Sequence, residues 1–374
     1  MRRRGLTAPT LLLLVSGLML HAAAGATAAP RNRRASSATG SVPAAADGSY
    51  PQRDYLVYAP ANLPPSGQRA LVVFLHGCTQ TAADAAAGVG WNQLADTRGF
   101  VVVYPEQRVP PAGTADTDGN AARCWNSGQA VLPRGQGELE SVAQITRSVA
   151  TTYGADPKRV YIVGISAGAL MANVMAATYP DVYAAVGSVE GCAYLCSDPS
   201  GDQAYRRMGG LARVMPAFIV QGTADYLTNP AMGEMTVTQW LGTDDLADDG
   251  LHNATISPVP ASIENRDVDS LSHPDPAAGD PCAHDFPRNP CPLGAAGIAP
   301  YPTTIREYTD RSGRVVVDAW LVHGLSHNYP GGGFAGSFTD PYGPDITTAA
   351  FDFFEGSSSS ATAAHKARAK TAKT

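Results

Sequence analysis

The strongest chemical signal in this chain of 374 residues is Gly164-Ile165-Ser166-Ala167-Gly168. The apolar run Val160 to Val163 leads into it and a helix-forming run follows. G-x-S-x-G between a strand and a helix is the setting of a nucleophile elbow. Small residues at 164 and 168 let strand and helix approach closely around a strained turn. The turn lifts the Ser166 Oγ above the sheet, and the next N–H, on Ala167, opens a helix where it can stabilise an oxyanion.

A hydroxyl is a poor nucleophile without a base, and the base needs an orienting acid. In this arrangement the chain order is serine, acid, histidine. The histidines after Ser166 are His252, His273, His284, His323, His327 and His365. His365 is in the C-terminal tail, and His252, His273 and His284 fall in an irregular stretch. His323 and His327 follow the apolar run 315–322, at a strand end. His327, among Gly324, Pro330 and Gly331 to Gly333, is the better placed base. His323 is the alternative, with a structural role at the strand's last position. For the acid, Gly222-Thr-Ala-Asp225 directly follows the strand 216–221. Asp225 there can hold the imidazole Nδ1–H; its other reading is a turn or capping aspartate. Asp244, Asp245, Asp248 and Asp249 read as a solvated acidic loop. A second oxyanion donor belongs after an early strand. The run 71–75 ends in His76-Gly-Cys-Thr-Gln80, which makes the Cys78 backbone N–H the candidate and His76 a hydrogen-bonded structural residue.

These groups need a scaffold. Residues 54–58, 71–75 (LVVFL), 100–104 (FVVVY), 159–163, 183–189, 216–221, 303–308 and 314–322 read as strands. Several are continuous apolar runs, as in a sheet buried on both faces. Leu139, Val142, Ile145 and Val149 recur at helical spacing, so 137–153 is an amphipathic helix. Further helices fall at 90–96, 167–177, 231–241 and 345–354. Alternating strands and helices predict an α/β fold, a mainly parallel sheet with helices on both faces. The pattern fails across an irregular insert at about 243–302, and loops this long are usually functional or disordered.

The ends carry other information. Arg2, Arg3 and Arg4, the apolar run 11–20 and Ala26-Thr27-Ala28 read as a secretory signal peptide over 1–28. The apolar run is too short for a spanning helix. Residues 29–49 read as a flexible lead and 356–374 as a disordered basic tail, leaving 50–355 as one catalytic domain. A net charge of −6 gives no basic surface for nucleic acid. A secreted chain with 6 Cys points to disulfides, though six cysteines allow about fifteen pairings. Zinc at Cys282, His284 and Cys291 has poor spacing. Asn253-Ala-Thr255 matches a glycosylation sequon by pattern only.

As an ordered set these motifs resemble the secreted esterases of the polyhydroxybutyrate depolymerase family, which is similar to the feruloyl and acetylxylan esterases. The carriers are His76-Gly-Cys-Thr-Gln80, Tyr104-Pro-Glu-Gln107, Cys124-Trp-Asn126, the elbow with its helix to Tyr179, Gly222-Thr-Ala-Asp225, and His327-Asn-Tyr-Pro-Gly-Gly332. The resemblance covers about 55–354 and implies an α/β-hydrolase fold. It matches Ser166, Asp225 and His327 to the triad and Cys78 with Ala167 to the oxyanion hole. It implies no metal or organic cofactor. Three departures fall where the acyl group would be recognised: Ser127-Gly128 replaces an aromatic pair, Asn328-Tyr329 replaces a common Ala-Trp, and 267–302 is long. Trp125 and Tyr329 are the substrate-pocket candidates. Polymer-degrading members often add a linker and a polymer-binding domain; their absence here lowers the expectation of attack on solid polymer. Cys78–Cys124 would tie the oxyanion loop to Trp125. Cys192–Cys196 and Cys282–Cys291 are local pairs, with cross-links between those two segments the competitor.

The expected function is a secreted serine esterase acting on hydroxyalkanoate esters or oligomers, with no nucleic-acid partner and no membrane anchor. The alternatives are a feruloyl or acetylxylan esterase on plant polysaccharide, an acyltransferase or peptidase, and a non-catalytic secreted binding protein on the same scaffold.

Overall fold

The strand sequences themselves dictate a two-sided sheet. In β3 (Arg69–Leu75), Leu71, Val73 and Leu75 face one apolar cluster while Ala70, Val72 and Phe74 face another. The same alternation holds in β4 (Val101–Pro105) and β5 (Ala155–Ile165). A strand buried on both sides needs helices on both sides, and the chain supplies them. On one face pack α3 (Gly137–Tyr153), α4 (Ala167–Thr178), α5 (Asp202–Met208) and α6 (Pro230–Asp249). On the other pack α1 (Ala82–Gly88), α2 (Trp91–Arg98) and a final helix, α7, at 346–357.

The computed structural model describes residues 35–110, 119–266 and 301–357, all within one compact unit. The remaining strands are β1 (Ser36–Val42), β2 (Arg53–Ala59), β6 (Ala185–Val189), β7 (Ala217–Gly222), β8 (Ser262–Arg266), β9 (Thr303–Thr309) and β10 (Val315–Val322). They form one ten-stranded sheet in the order β1-β2-β4-β3-β5-β6-β7-β10-β9-β8. The centre, β4 to β10, is parallel, with antiparallel β1, β2, β9 and β8 at the two edges. This is the α/β-hydrolase arrangement. Parallel strands end at one edge of the sheet, so the turns after β3, β5, β6, β7 and β10 gather there, where sites form in open α/β sheets.

Three expectations need correction. Residues 36–42, placed in the flexible lead, form β1 and pair with β2 along its length. Backbone hydrogen bonds hold this edge strand and only Val42 is buried in it, so it has no apolar period to read. Residues 243–249, placed at the start of the irregular insert, continue α6. Asp244 and Asp245, placed in a solvated loop, are buried in that helix. The Met215 N–H donates to Asp244, and Asn253, Ala254, Thr255 and Ile256 all donate to Asp245, so each carboxylate pins a neighbouring segment. The insert's centre at 267–300, the signal peptide and most of the tail lie outside the described residues. Among the described residues no helix is long and apolar enough to cross a membrane.

One buried acid predicts a pH-dependent stability. Asp318 of β10 is opposite Glu307 of β9, and Trp320 donates to it at 3.0 Å. Burial first, and then the Glu307 charge, push its carboxyl up to about 7. Between the ordinary carboxyl value, about 4, and that value, the folded chain keeps a proton the unfolded chain has lost. Stability therefore falls as pH rises through that window. Asp318→Asn is expected to be more stable than the wild type at pH 8, by a few kcal/mol at about 1.36 per pK unit. The gain should fade toward pH 4 in denaturant titrations; a gain independent of pH would contradict the assignment.

Candidate active site

The turn between β5 and α4 forces Ser166 into φ 57, ψ −125, and its N–H donates to Val189 O at 2.9 Å. The flanking glycines are obligatory for close approach. A methyl group on Gly164 would sit 2.2 Å from Gly168 O, and one on Gly168 would sit 2.1 Å from Leu75 O. Ser166 is half-buried, at the floor of a pocket of about 280 Å³. Gly77, Cys78, Thr79, Gln80, Ile165, Tyr226, Leu227, His327 and Phe338 complete the lining.

His327 comes from the loop after β10 and Asp225 from the turn after β7, neighbouring parallel strands. Their ends therefore meet: His327 Nδ1 is 2.8 Å from Asp225 Oδ2. The carboxylate is fully engaged. Oδ1 accepts the Leu227 and Thr228 N–H groups at 2.8 and 2.9 Å, and Oδ2 also accepts the Thr228 hydroxyl at 2.6 Å. Burial opposes its charge, but hydrogen bonds from His327, Glu190 and Thr228 outweigh it and hold the Asp225 carboxyl well below its usual range. An ionised acid on Nδ1–H leaves Nε2 as the free, basic nitrogen of the imidazole.

The loop after β3 commits the amides on either side of Cys78. The Gly77 N–H donates to Gln80 Oε1 at 2.8 Å, and the Thr79 N–H to Ala122 O at 2.6 Å. Among the described residues no acceptor meets the Cys78 N–H between them. The Ala167 N–H, first in α4, has no acceptor within its helix. Both amides thus flank the serine with capacity to spare. Gln80 Nε2 also donates to Ser337 O, tying this loop to the pocket wall beside Phe338.

A buried polar network supports the loop from below. His76 presents Nδ1–H to Gly77 O at 2.8 Å and accepts the Gln107 N–H on Nε2 at 3.1 Å. Burial pushes its imidazole down to about 4, which fixes it neutral. Gln107 bridges Arg53, Glu138 and Cys124 O, and Arg53 and Glu138 form a fully buried ion pair at 2.9 Å. Cys78 and Cys124 are disulfide-bonded. The bond closes 46 residues of chain, and loop-closure entropy assigns such a link about 4 kcal/mol. Cys192 and Cys196 form a second, local disulfide; Cys282 and Cys291 lie outside the described residues.

The two pocket candidates are placed differently by the structure. Trp125 is 4% exposed and does not line the pocket; its Nε1–H donates to His76 O at 2.8 Å, and the Arg53 guanidinium lies over its ring. Tyr329 is 1% exposed, bonded to Thr347 and packed edge-on to Phe74. Both brace the loops rather than meet a ligand, because each aromatic has a buried partner for its polar atom. The pocket mouth instead carries Tyr226 and Leu227, about half exposed at 48% and 55%, immediately after the acid. His323, the alternative base, is bonded to Thr304 Oγ1 at 2.9 Å away from the serine pocket. His252 lies beside Asp202 and Asp245.

The sequence reading missed Glu190. It follows β6 as Asp225 follows β7, and it is completely buried. The signal was available: a charged residue at the carboxyl end of an apolar strand next to the acid's own strand. Glu190, Asp225 and His327 bring ligand-type atoms within 4.8 Å of one another. His327 Nδ1 is already committed to Asp225, so the set is a hydrogen-bonded chain of acids and base rather than an open metal centre.

Residues 54–250, which hold Ser166 and Asp225, match the family described as esterase PHB depolymerase. The chain is 38% identical over 201 residues to poly(3-hydroxyalkanoate) depolymerase C of Paucimonas lemoignei, covering 48% of this chain and 45% of the relative. It is 40% identical over 146 residues to acetylxylan esterase A of Emericella nidulans, covering 37% and 44%. The chain thus spans under half the length of each of these relatives. Among solved structures, the acetyl xylan esterase of Aspergillus awamori superposes with a TM-score of 0.52 at 22% identity, over 78% of this chain and 94% of that one, which shows a shared fold. With more than half of its residues under the family model and the elbow in its expected turn, the chain belongs to the esterase PHB depolymerase family.

Proposed function

We propose that the chain is a secreted serine carboxylic-ester hydrolase acting on hydroxyalkanoate esters and their oligomers. The observation that carries this is the meeting of Ser166 and the His327–Asp225 pair in one pocket with an apolar rim. His327 Nε2 takes the proton from Ser166 as Oγ attacks the ester carbonyl carbon. The carbonyl oxygen becomes an oxyanion held by the Cys78 and Ala167 N–H groups. His327 then protonates the leaving alcohol, water enters, and the same steps in reverse order release the acid and restore the serine. Asp225 keeps the imidazole in the Nδ1–H form throughout.

Tyr226, Leu227 and Phe338 favour a short apolar acyl group over a charged one. A second reading, acetylxylan ester hydrolysis, has support in the acetylxylan esterases among the relatives. Rates on hydroxybutyrate oligomers, acetylated xylan and feruloyl esters separate the two. The proposal expects hydroxybutyrate trimer to give a kcat/KM at least about tenfold above acetylated xylan, one decade being about 1.4 kcal/mol of transition-state binding. The reverse ranking would move the assignment to the polysaccharide ester. Transfer to an added alcohol in place of hydrolysis would move it to an acyltransferase.

A further inference from the structure

Glu190 has no place in a three-residue relay, yet the fold invests in holding it there. It sits at φ 48 with its side chain fully buried. Its N–H donates to Val220 O on β7, and its carbonyl lies 2.9 Å from the Thr228 hydroxyl. The turn beyond it is fixed as well: Asn173 of α4 donates to Cys192 O and accepts from Trp240 of α6. The carboxyl cannot swing out to water.

What faces that carboxyl decides its state. Gln221 Nε2 donates to Oε2 at 2.9 Å, while Oε1 faces Gly222 and has no donor in good hydrogen-bond geometry among the described residues. The charged and titratable groups that meet it are Asp225, from the turn after β7, and beyond it His327, from the loop after β10. No arginine or lysine pairs with it among the described residues. Two buried carboxylates this close, with one imidazole bonded to Asp225 and no cation beside Glu190 among the described residues, cannot both be ionised at neutral pH. Asp225 accepts N–H and O–H donors from the backbone, Thr228 and His327, so it keeps the charge. Glu190 has Gln221 Nε2 at 2.9 Å and the Gly222 backbone N–H, fewer donors than Asp225, and keeps the proton. A protonated carboxyl has one O–H to give, which also accounts for an oxygen that finds no donor.

We propose that Glu190 is a positioning residue of this site: a neutral carboxylic acid whose O–H donates to Asp225 and fixes the carboxylate that orients His327. The consequence is a site with a single negative charge. When His327 becomes imidazolium, it faces one carboxylate of low basicity, which holds its Nδ1–H without removing the proton. The burial that raises the Glu190 carboxyl far above its usual range acts in the same direction.

This inference rests on Ser166, Asp225 and His327 acting as the triad, and the test separates the two. The probe is a soluble aryl ester, with kcat and KM measured across pH. The acid limb of kcat/KM reports protonation of the free enzyme's base. Glu190→Gln keeps a neutral donor of the same shape, so its acid limb should stay in place and kcat within roughly tenfold, the range of one neutral hydrogen bond. Glu190→Leu removes the donor, leaving Asp225 more basic. Its kcat should fall by roughly tenfold or more at similar KM, with the acid limb moved to higher pH. A Glu190→Gln limb displaced to lower pH by more than about one unit would show that Glu190 is ionised and overturn the inference. So would a Glu190→Leu enzyme with wild-type kcat and profile. If Glu190→Leu does not fold, infrared difference spectra of wild type against Glu190→Gln at neutral pH decide. A protonated carboxyl band lost in the variant supports the inference, and a carboxylate band lost instead overturns it. Failure of the triad itself would appear elsewhere, as a Ser166→Ala enzyme with wild-type rates.

Discussion

Ser166→Ala is expected to lower kcat on a short-chain aryl ester by about 10⁵- to 10⁶-fold, the scale on which a serine triad works as a unit. The folded structure should be unchanged. The elbow's geometry is held by the Ser166 N–H to Val189 O, by α4, and by the glycines at 164 and 168, none of which needs the hydroxyl. In the proposed mechanism the lost atom is the one that forms the acyl-enzyme. The Cys78 and Ala167 amides would still polarise a bound carbonyl, so a residual rate about 10³- to 10⁴-fold above water should survive. Progress curves at high enzyme concentration measure it, and the unfolding midpoint checks the fold. Near-wild-type turnover in this variant would remove Ser166 as the nucleophile.

Asp225→Asn should cost about 10⁴-fold in kcat with little change in KM. The substitution is nearly isosteric. The Leu227 and Thr228 N–H groups can still donate to the amide oxygen, so the turn should persist. The amide nitrogen would then face His327 Nδ1, across the present 2.8 Å contact. A donor cannot hold an N–H, so the imidazole moves its proton to Nε2, the atom that must accept the serine proton. The base is lost while the ring stays in place. Alkaline conditions, where the leaving proton is taken more readily by solvent, should restore part of the rate. A loss below about tenfold would mean that another group orients the imidazole, and Glu190, within 4.8 Å, would be that group.

The contrast between the parts legible in the sequence and the rest has a physical basis. The runs at 71–75, 100–104 and 160–163 are apolar at consecutive positions because both sheet faces are covered, and such runs stand out. The elbow stands out because close approach at Gly164 and Gly168 admits no side chain. Asp225 and His327 could be proposed as partners because each follows an apolar strand in the required chain order, and the fold brings the two side chains to 2.8 Å. By contrast, β1 is held by backbone pairing with exposed side chains. At residues 243–249 the helix carries buried Asp244 and Asp245, whose partners, Met215 and the turn at 253–256, are set by the fold rather than by the local pattern. Trp125 read as a pocket wall because it lies in a loop beside a cysteine; only the fold shows that His76 O and Arg53 take its indole inward. Glu190 went unread because its signal is not local: it lies in the position of a charge at the end of β6, beside the strand that carries Asp225.

The central claim is that Ser166 is made nucleophilic by His327 and Asp225 in this pocket. Labelling with a serine-directed fluorophosphonate, followed by mass spectrometry of the digested protein, tests it most directly. The account predicts one adduct per chain, on the peptide that contains Ser166, absent in Ser166→Ala and formed far more slowly in Asp225→Asn. An adduct on a different residue, or none from a preparation that hydrolyses esters, would contradict it.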